Sequence, residues 1–228
     1  MVGTMRMREP LMPLVQVLGG PAGPGSRRLS KRERTRRQLI AAAITSFSAR
    51  GVQQSTIHEI AAAAEMTTAT IYNHFRGKDE IVTAVAMSIS GTLRERSAPG
   101  QGTFKNGAER LAVGCRRYLR LAEESPAWAL LILDLAIVFP DFLKTISGYL
   151  LADLRLGERQ KVFKTISEAS ALDLIEGTVM QAMRRIALGQ APPRHAQAVT
   201  TAILCGLGVP KSRARSIVER PMPLLPTS

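Results

Sequence analysis

The sequence predicts an all-α protein of two domains. Apolar residues recur three and four positions apart in segment after segment, and no stretch alternates convincingly enough to form a sheet. Capping residues open those segments, and glycine or proline closes them. The 228 residues are 45% hydrophobic but only 4% aromatic, so small and aliphatic side chains supply the apolar faces, as suits packed helices.

Residues 1–30 are expected to be a flexible N-terminal extension, because Gly19, Gly20, Pro21, Gly23, Pro24 and Gly25 will not hold a helix. Arg6 and Arg8 precede an apolar run, but Pro10 and Pro13 interrupt it, so an export signal is not expected. Arg27, Arg28, Lys31, Arg32, Arg34, Arg36 and Arg37 then form a basic run. It reads either as a solvated tail or as an arm that tracks phosphates or enters a minor groove. Its direct attachment to the next block favours the arm.

That block begins with a helix from about Thr35. Ile40, Ala43, Ile44 and Phe47 make one apolar stripe, and Gly51 is a natural residue to end it. Residues 56–75, the stretch on which the whole reading turns, predict two short helices joined by a tight turn. Thr56 and Glu59 fit a capping box, and Ile57, Ile60, Ala61 and Ala64 follow at helical spacing. Glu65 and Met66 fall in the turn, and Thr67 caps the second helix. There Ile71 and Phe75 face inward, while Thr68, Ala69, Tyr72 and Asn73 face out with short or hydrogen-bonding side chains, as base reading needs. A plain helical hairpin would share much of this pattern.

Residues 35–82 together resemble the N-terminal DNA-binding domain of the TetR family of transcriptional regulators. The resemblance rests on Thr35-Arg36, the alanines before Phe47, Gly51, Thr56-Ile57, Ile60-Ala61, Ala64, Thr70-Ile71-Tyr72, His74-Phe75 and Lys78-Asp79, in register without a gap. Glu65 and Ala69 stand where the family commonly has glycine. The left-handed conformation is costly for glutamate, so Glu65 is expected to need a different turn geometry. The resemblance implies that Thr56, Thr67, Tyr72, His74 and Lys78 hold phosphates. Thr68, Ala69 and Asn73 would face base edges, with Thr70 on the same helix and Arg34 and Arg36 in the basic run as further contacts.

Charge agrees with a polyanionic partner: 31 Lys and Arg against 18 Asp and Glu give +13. Nucleic acid is favoured over an anionic membrane surface, because the basic run has too few apolar residues for an amphipathic membrane helix. Cys115 and Cys205 are the two cysteines and suggest reduced thiols in a cytoplasmic protein, not a disulfide framework or metal site. His58 and His74 lie in the DNA-binding block and His195 is isolated, so no catalytic residue, metal or cofactor is assigned.

The divisions expected are a helix-turn-helix domain at residues 31–78, a helical effector-binding and dimerisation domain at 79–220, and a Pro-rich flexible tail at 221–228. Within the second domain, helices are predicted at about 79–96, 106–124, 127–139, 142–156, 167–188, 194–207 and 211–220, with a break at 98–102 and a stop at Gly157. The stretch 127–139 is apolar nearly all round and too short to span a bilayer, so it is a buried core helix. The resemblance implies a cavity here for a small-molecule effector of unknown identity. Candidate lining residues are Met87, Cys115, Tyr118, Trp128, Leu131, Phe139, Phe142 and Tyr149, each equally readable as core packing, with Asp134 an odd acid among aliphatics that needs a partner if it faces inward. The helices at 167–188 and 194–207 carry apolar or small residues on more than one face, and Ile175, Val179, Met183, Val199 and Ile203 are the candidate homodimer contacts. The function expected is a ligand-responsive, sequence-specific repressor that binds an inverted-repeat DNA operator as a homodimer. A non-specific architectural DNA-binding protein is the alternative.

Overall fold

The structure, a computed structural model, describes residues 30–97 and 104–222. The expected leader up to residue 29, the break at 98–102 and the tail from residue 223 lie outside the described residues. Ten α-helices and no strand occur among those described, and the chain divides between Ile81 and Val82 into two compact units.

The first unit opens with α1 (Lys31–Arg50). Ser30 Oγ accepts the Glu33 N–H at 3.2 Å, and the Glu33 carboxylate accepts the Ser30 N–H at 2.8 Å. This capping box starts the helix inside the basic run. From Lys31 to Arg37 the expected arm is therefore the first two turns of a helix, which corrects the sequence reading; Arg27 and Arg28 lie outside the described residues. Leu39, Ile40, Ala43, Ile44 and Phe47 are buried, and Gly51 ends the helix at φ 85°.

α2 (Ile57–Ala63) starts at the Thr56–Glu59 capping box, with bonds of 3.2 and 2.9 Å. α3 (Thr68–Tyr72) starts at Thr67, whose hydroxyl accepts the Thr70 N–H at 3.2 Å. The turn between them is closed by the Glu65 and Met66 N–H groups, which donate to Ala62 and Ala61 carbonyls at 3.1 and 2.9 Å. Glu65 itself sits at φ 55°. The expectation of another turn geometry was wrong: glutamate adopts the left-handed conformation that glycine adopts freely, because the two turn hydrogen bonds and the burial of Ile60 and Ile71 on either side fix the chain there.

α4 (Lys78–Ser97) begins in the first unit and continues past the divide. The second unit holds α5 (Gly107–Glu124), α6 (Pro126–Val138), α7 (Pro140–Arg159), α8 (Glu168–Ala187), α9 (His195–Gly206) and α10 (Lys211–Glu219). α5 is its hub, touching α6, α7, α8, α9 and α10. Two features bind α5 to α7. Arg110 and Asp153 form a largely buried ion pair at 2.7 Å. A Cβ added at Gly107 would lie 2.4 Å from the Gly157 nitrogen, and one at Gly157 would lie 2.2 Å from the Phe163 ring. Gly157 is thus a close-packing glycine inside α7, not the stop expected of it. Burial raises the Asp153 pKa, and Arg110 opposes that rise. Among the described residues, the buried acid of this unit is Asp153; Asp134 is half-buried and partnered. Among the described residues, no helix is long and apolar enough to cross a membrane.

The αL residue makes one direct prediction. Glu65→Gly relieves about 1 kcal/mol of backbone strain against a similar gain of unfolded-state entropy, so denaturant midpoints should match or exceed the parent. Glu65→Val, β-branched at the same φ, should lower stability by about 1–2 kcal/mol.

Candidate nucleic-acid interface and pocket

The first unit presents a surface built by short-range capping and two buried anchors. Ile71 is 0% and Phe75 1% exposed, which fixes the roll of α3. Tyr72 is then 58% exposed, and Ala69 and Asn73 are exposed beside it; Thr68 and Thr70 are half-buried. The Thr67 and Thr70 hydroxyls lie 3.0 Å apart, so the cap and the helix side chain share one hydrogen bond. At the far end, Lys78 Nζ donates to the Gln53 carbonyl at 2.8 Å. It ties the start of α4 to the loop before α2, with two ammonium donors left over. His74 is half-buried, and its Nδ1 has no hydrogen-bond partner among the described residues.

Cations surround this surface. Arg36 stacks on Phe75, its guanidinium carbon 4.8 Å from the ring centroid. It is therefore held against the core that supports α3 while remaining exposed. Arg34 is exposed on the preceding turn. Arg50 pairs with Glu59 at 2.7 Å and bridges α1 to α2. The Thr56 N–H and hydroxyl hold the Glu59 carboxyl below its ordinary range, so this capping acid stays ionised. All eleven residues assigned to DNA from the sequence lie in this unit. The Lys78–Gln53 tether and the Arg36–Phe75 stack join residues far apart in the chain, so no local pattern marks them. The Ser30–Glu33 box was visible as a Ser-x-x-Glu pattern.

A pocket of about 50 Å³ lies in the second unit. Cys115 and Tyr118 of α5 line it, with Ile132, Leu133 and Ala136 of α6, Leu150 of α7, and Ile175, Glu176, Val179, Met180 and Met183 of α8. Of the expected lining residues only Cys115 and Tyr118 belong to this wall. Trp128, Leu131 and Phe142 are core, Phe139 and Asp134 are half-buried elsewhere, and Met87 and Tyr149 are 69% and 39% exposed. α6 is apolar all round, so its sequence did not say which side meets a cavity. Burial pushes the Cys115 thiol and the Tyr118 phenol each up to about 12. Ser147 Oγ donates to Glu176 Oε1 at 2.5 Å.

The expected dimer contacts need a similar correction. Ile175, Val179, Met183 and Ile203 are buried within the protomer, and the first three line the pocket. They complete the protomer's own core, and Val199 is half-buried. The faces left outward are Ser170, Asp173, Leu174, Gly177, Gln181 and Arg184 on α8, and Ala198, Ala202 and Gly206 on α9. A groove of about 660 Å³ between α9 and α10 continues that face, lined by Ala198, Ala202, Cys205 and Arg215 among others.

Two capped helices across a tight turn, the second rolled outward beside a cationic rim, make this unit a helix-turn-helix. Residues 39–85 match the family model "Bacterial regulatory proteins, tetR family", and residues 106–220 match "Tetracyclin repressor-like, C-terminal domain". The chain belongs to the TetR family, as the sequence resemblance implied. It is similar to the HTH-type transcriptional regulator TcmR of Streptomyces glaucescens, at 35% identity over 100 residues, 41% of this chain and 43% of TcmR. SrpR of Pseudomonas putida is 39% identical over 70 residues, 31% of this chain and 33% of SrpR. The chain thus spans less than half the length of these curated relatives. Among solved structures, RolR in complex with resorcinol superposes with TM-score 0.70 at 26% identity, covering 87% of this chain and 100% of RolR. FadR from Bacillus subtilis, with stearoyl-CoA, matches in fold at TM-score 0.63 and 21% identity, covering 75% and 96%. The all-α, two-domain fold class is that of these structures.

The buried thiol supplies a check on the pocket. At pH 8, native protein should leave Cys115 unmodified by Ellman's reagent, since an unreactive neutral thiol is what its setting dictates. Denaturant should release it. Fast native modification of Cys115 would place it in a polar, open site.

Proposed function

We propose that this regulator is a ligand-responsive repressor that binds an inverted-repeat operator as a homodimer. The observation that carries the DNA-reading part is the roll of α3: Ile71 and Phe75 are buried, and Ala69, Tyr72 and Asn73 are left outward. Thr68, Ala69 and Asn73 then face base edges. Thr56, Thr67, Thr70, Tyr72, His74 and Lys78 hold phosphates, helped by Arg34 and Arg36. The Lys78 tether to Gln53 gives that cation a fixed position from which its remaining donors meet a phosphate oxygen.

Dimerisation is supported by the outward face of α8 and α9. Asp173 sits in the first half of the exposed α8 stripe and Arg184 in the second. Antiparallel packing about a two-fold axis brings one protomer's Asp173 to the partner's Arg184 end, with the crossing close to Gly177. A Cβ at Gly177 would meet nothing within 4 Å in the protomer, so the protomer does not require a glycine there. Helix-interior glycine costs about 1 kcal/mol relative to alanine. Close approach of a partner helix explains its presence. Such a dimer presents two α3 helices to successive major grooves, roughly 34–36 Å apart or a multiple of it.

Effector response is supported by the pocket among α5, α6, α7 and α8, and by the likeness to RolR, which was solved with resorcinol. An effector that binds one spacing of the two DNA-binding units better shifts the population away from the other. α4, which begins in the first unit and continues into the second, is the covalent link through which this acts.

Selection of bound duplexes from a random DNA pool tests the operator: an inverted repeat should emerge, whereas equal recovery of scrambled sequence would support architectural binding. On that operator, Asn73→Ala should change base preference at one position of each half-site and weaken binding by ~1–3 kcal/mol. Lys78→Ala should weaken binding to every sequence and lower the salt slope by roughly one unit. Native affinity and slope in both variants would refute this docking. Gly177→Leu should leave the melting of the protomer fold nearly unchanged but shift sedimentation toward monomer; an unaltered dimer would move the interface elsewhere.

A further inference from the structure

We propose that the pocket among α5, α6, α7 and α8 selects a compact, uncharged, apolar molecule, one ring or a short hydrocarbon chain, and rejects carboxylates. This rests on the reading of the second unit as effector-responsive and names the ligand class of that site.

Size sets the first bound. About 50 Å³ is roughly a third of the ~150 Å³ apolar cavity that takes one benzene, so a single ring enters only as the wall yields, and a multi-ring or long-chain ligand is too large. Met180 and Met183 in the wall are unbranched and adaptable, so the wall gives a little around a ring without losing contact.

Chemistry sets the second. The surface facing the space is apolar, and none of the described lining residues is Lys, Arg or His. A carboxylate entering it would lose its hydration with no cation to replace it. Three lining residues can ionise, and none helps an anion. The Cys115 thiol and Tyr118 phenol are held neutral by burial. Glu176 accepts the Ser147 hydroxyl and is itself a carboxylate, so it repels an anion. A strongly polar neutral ligand fares poorly too, because an apolar wall returns none of the hydrogen bonds it gives up to water. Dispersion and burial against Ile132, Leu133, Leu150 and the two methionines are what remain to hold a ligand.

Calorimetric titration of the full chain at pH 7 with toluene and with benzoate tests this, since the two share a ring and differ in charge. Toluene should bind at least about tenfold more tightly than benzoate. Ala136→Val, which fills the pocket from α6, should weaken toluene by about tenfold at an unchanged circular-dichroism spectrum. Equal or tighter benzoate binding overturns the inference, as does no binding of either ring, or toluene affinity that Ala136→Val leaves untouched. An operator-release assay in parallel separates this from the wider reading. Toluene that binds the pocket without releasing operator upholds the selectivity and removes the effector role. An anion that releases operator, and does so less well in Ala136→Val, keeps the effector role and overturns the selectivity.

Discussion

Everything the DNA-binding unit offers depends on the anchoring of one very short helix. α3 has five residues, far below the length at which a helix holds itself together in water. It exists because Thr67 caps one end and because Ile71 and, just beyond it, Phe75 are buried in the unit. The same two anchors fix which residues point outward. Arg36, stacked on Phe75, ties the cationic rim to that anchor, so loss of the anchor would disturb helix, roll and rim together. The strained Glu65 turn belongs to the same arrangement, since it sets the angle between α2 and α3.

The second unit is built on a different constraint, the enclosure of α5 by five other helices. Small residues make this possible, with Gly107 and Gly157 letting two backbones touch. The pocket is what remains where α5, α6, α7 and α8 do not close completely. α8 therefore serves two faces. Ile175, Val179 and Met183 complete the pocket wall, and Asp173, Gly177 and Arg184 face outward.

Much of this was legible in the residues, for reasons that can be named. Local chemistry reads well: the Thr56–Glu59 box, the Thr67 cap and the Gly51 stop each occupy a few adjacent positions, and all three are present. Inward and outward faces of α3 read well too, because Ile71 and Phe75 are unambiguous beside Tyr72 and Asn73. The start of α1 is less legible: its Ser30–Glu33 box lies inside a run of like charges that repel along a helix, and the cap and the buried stripe from Leu39 onward offset that repulsion. The pocket was mostly illegible. Leu133 and Ala136 look like any other residues of an apolar helix, and which of its sides meets a gap is decided by partners distant in sequence. The apolar residues on α8 and α9 were assigned to a partner subunit because periodicity cannot separate a helix's own core from a second face. Burial of Ile175 and Ile203 separates them.

The number of protomers bound to a defined duplex tests the central claim most directly. The mass of the complex on a selected inverted-repeat operator should correspond to two protomers, and deleting one half-site should reduce binding to the level of scrambled DNA. A single protomer bound at full affinity, or scrambled duplex bound as tightly as the operator at physiological salt, would contradict it.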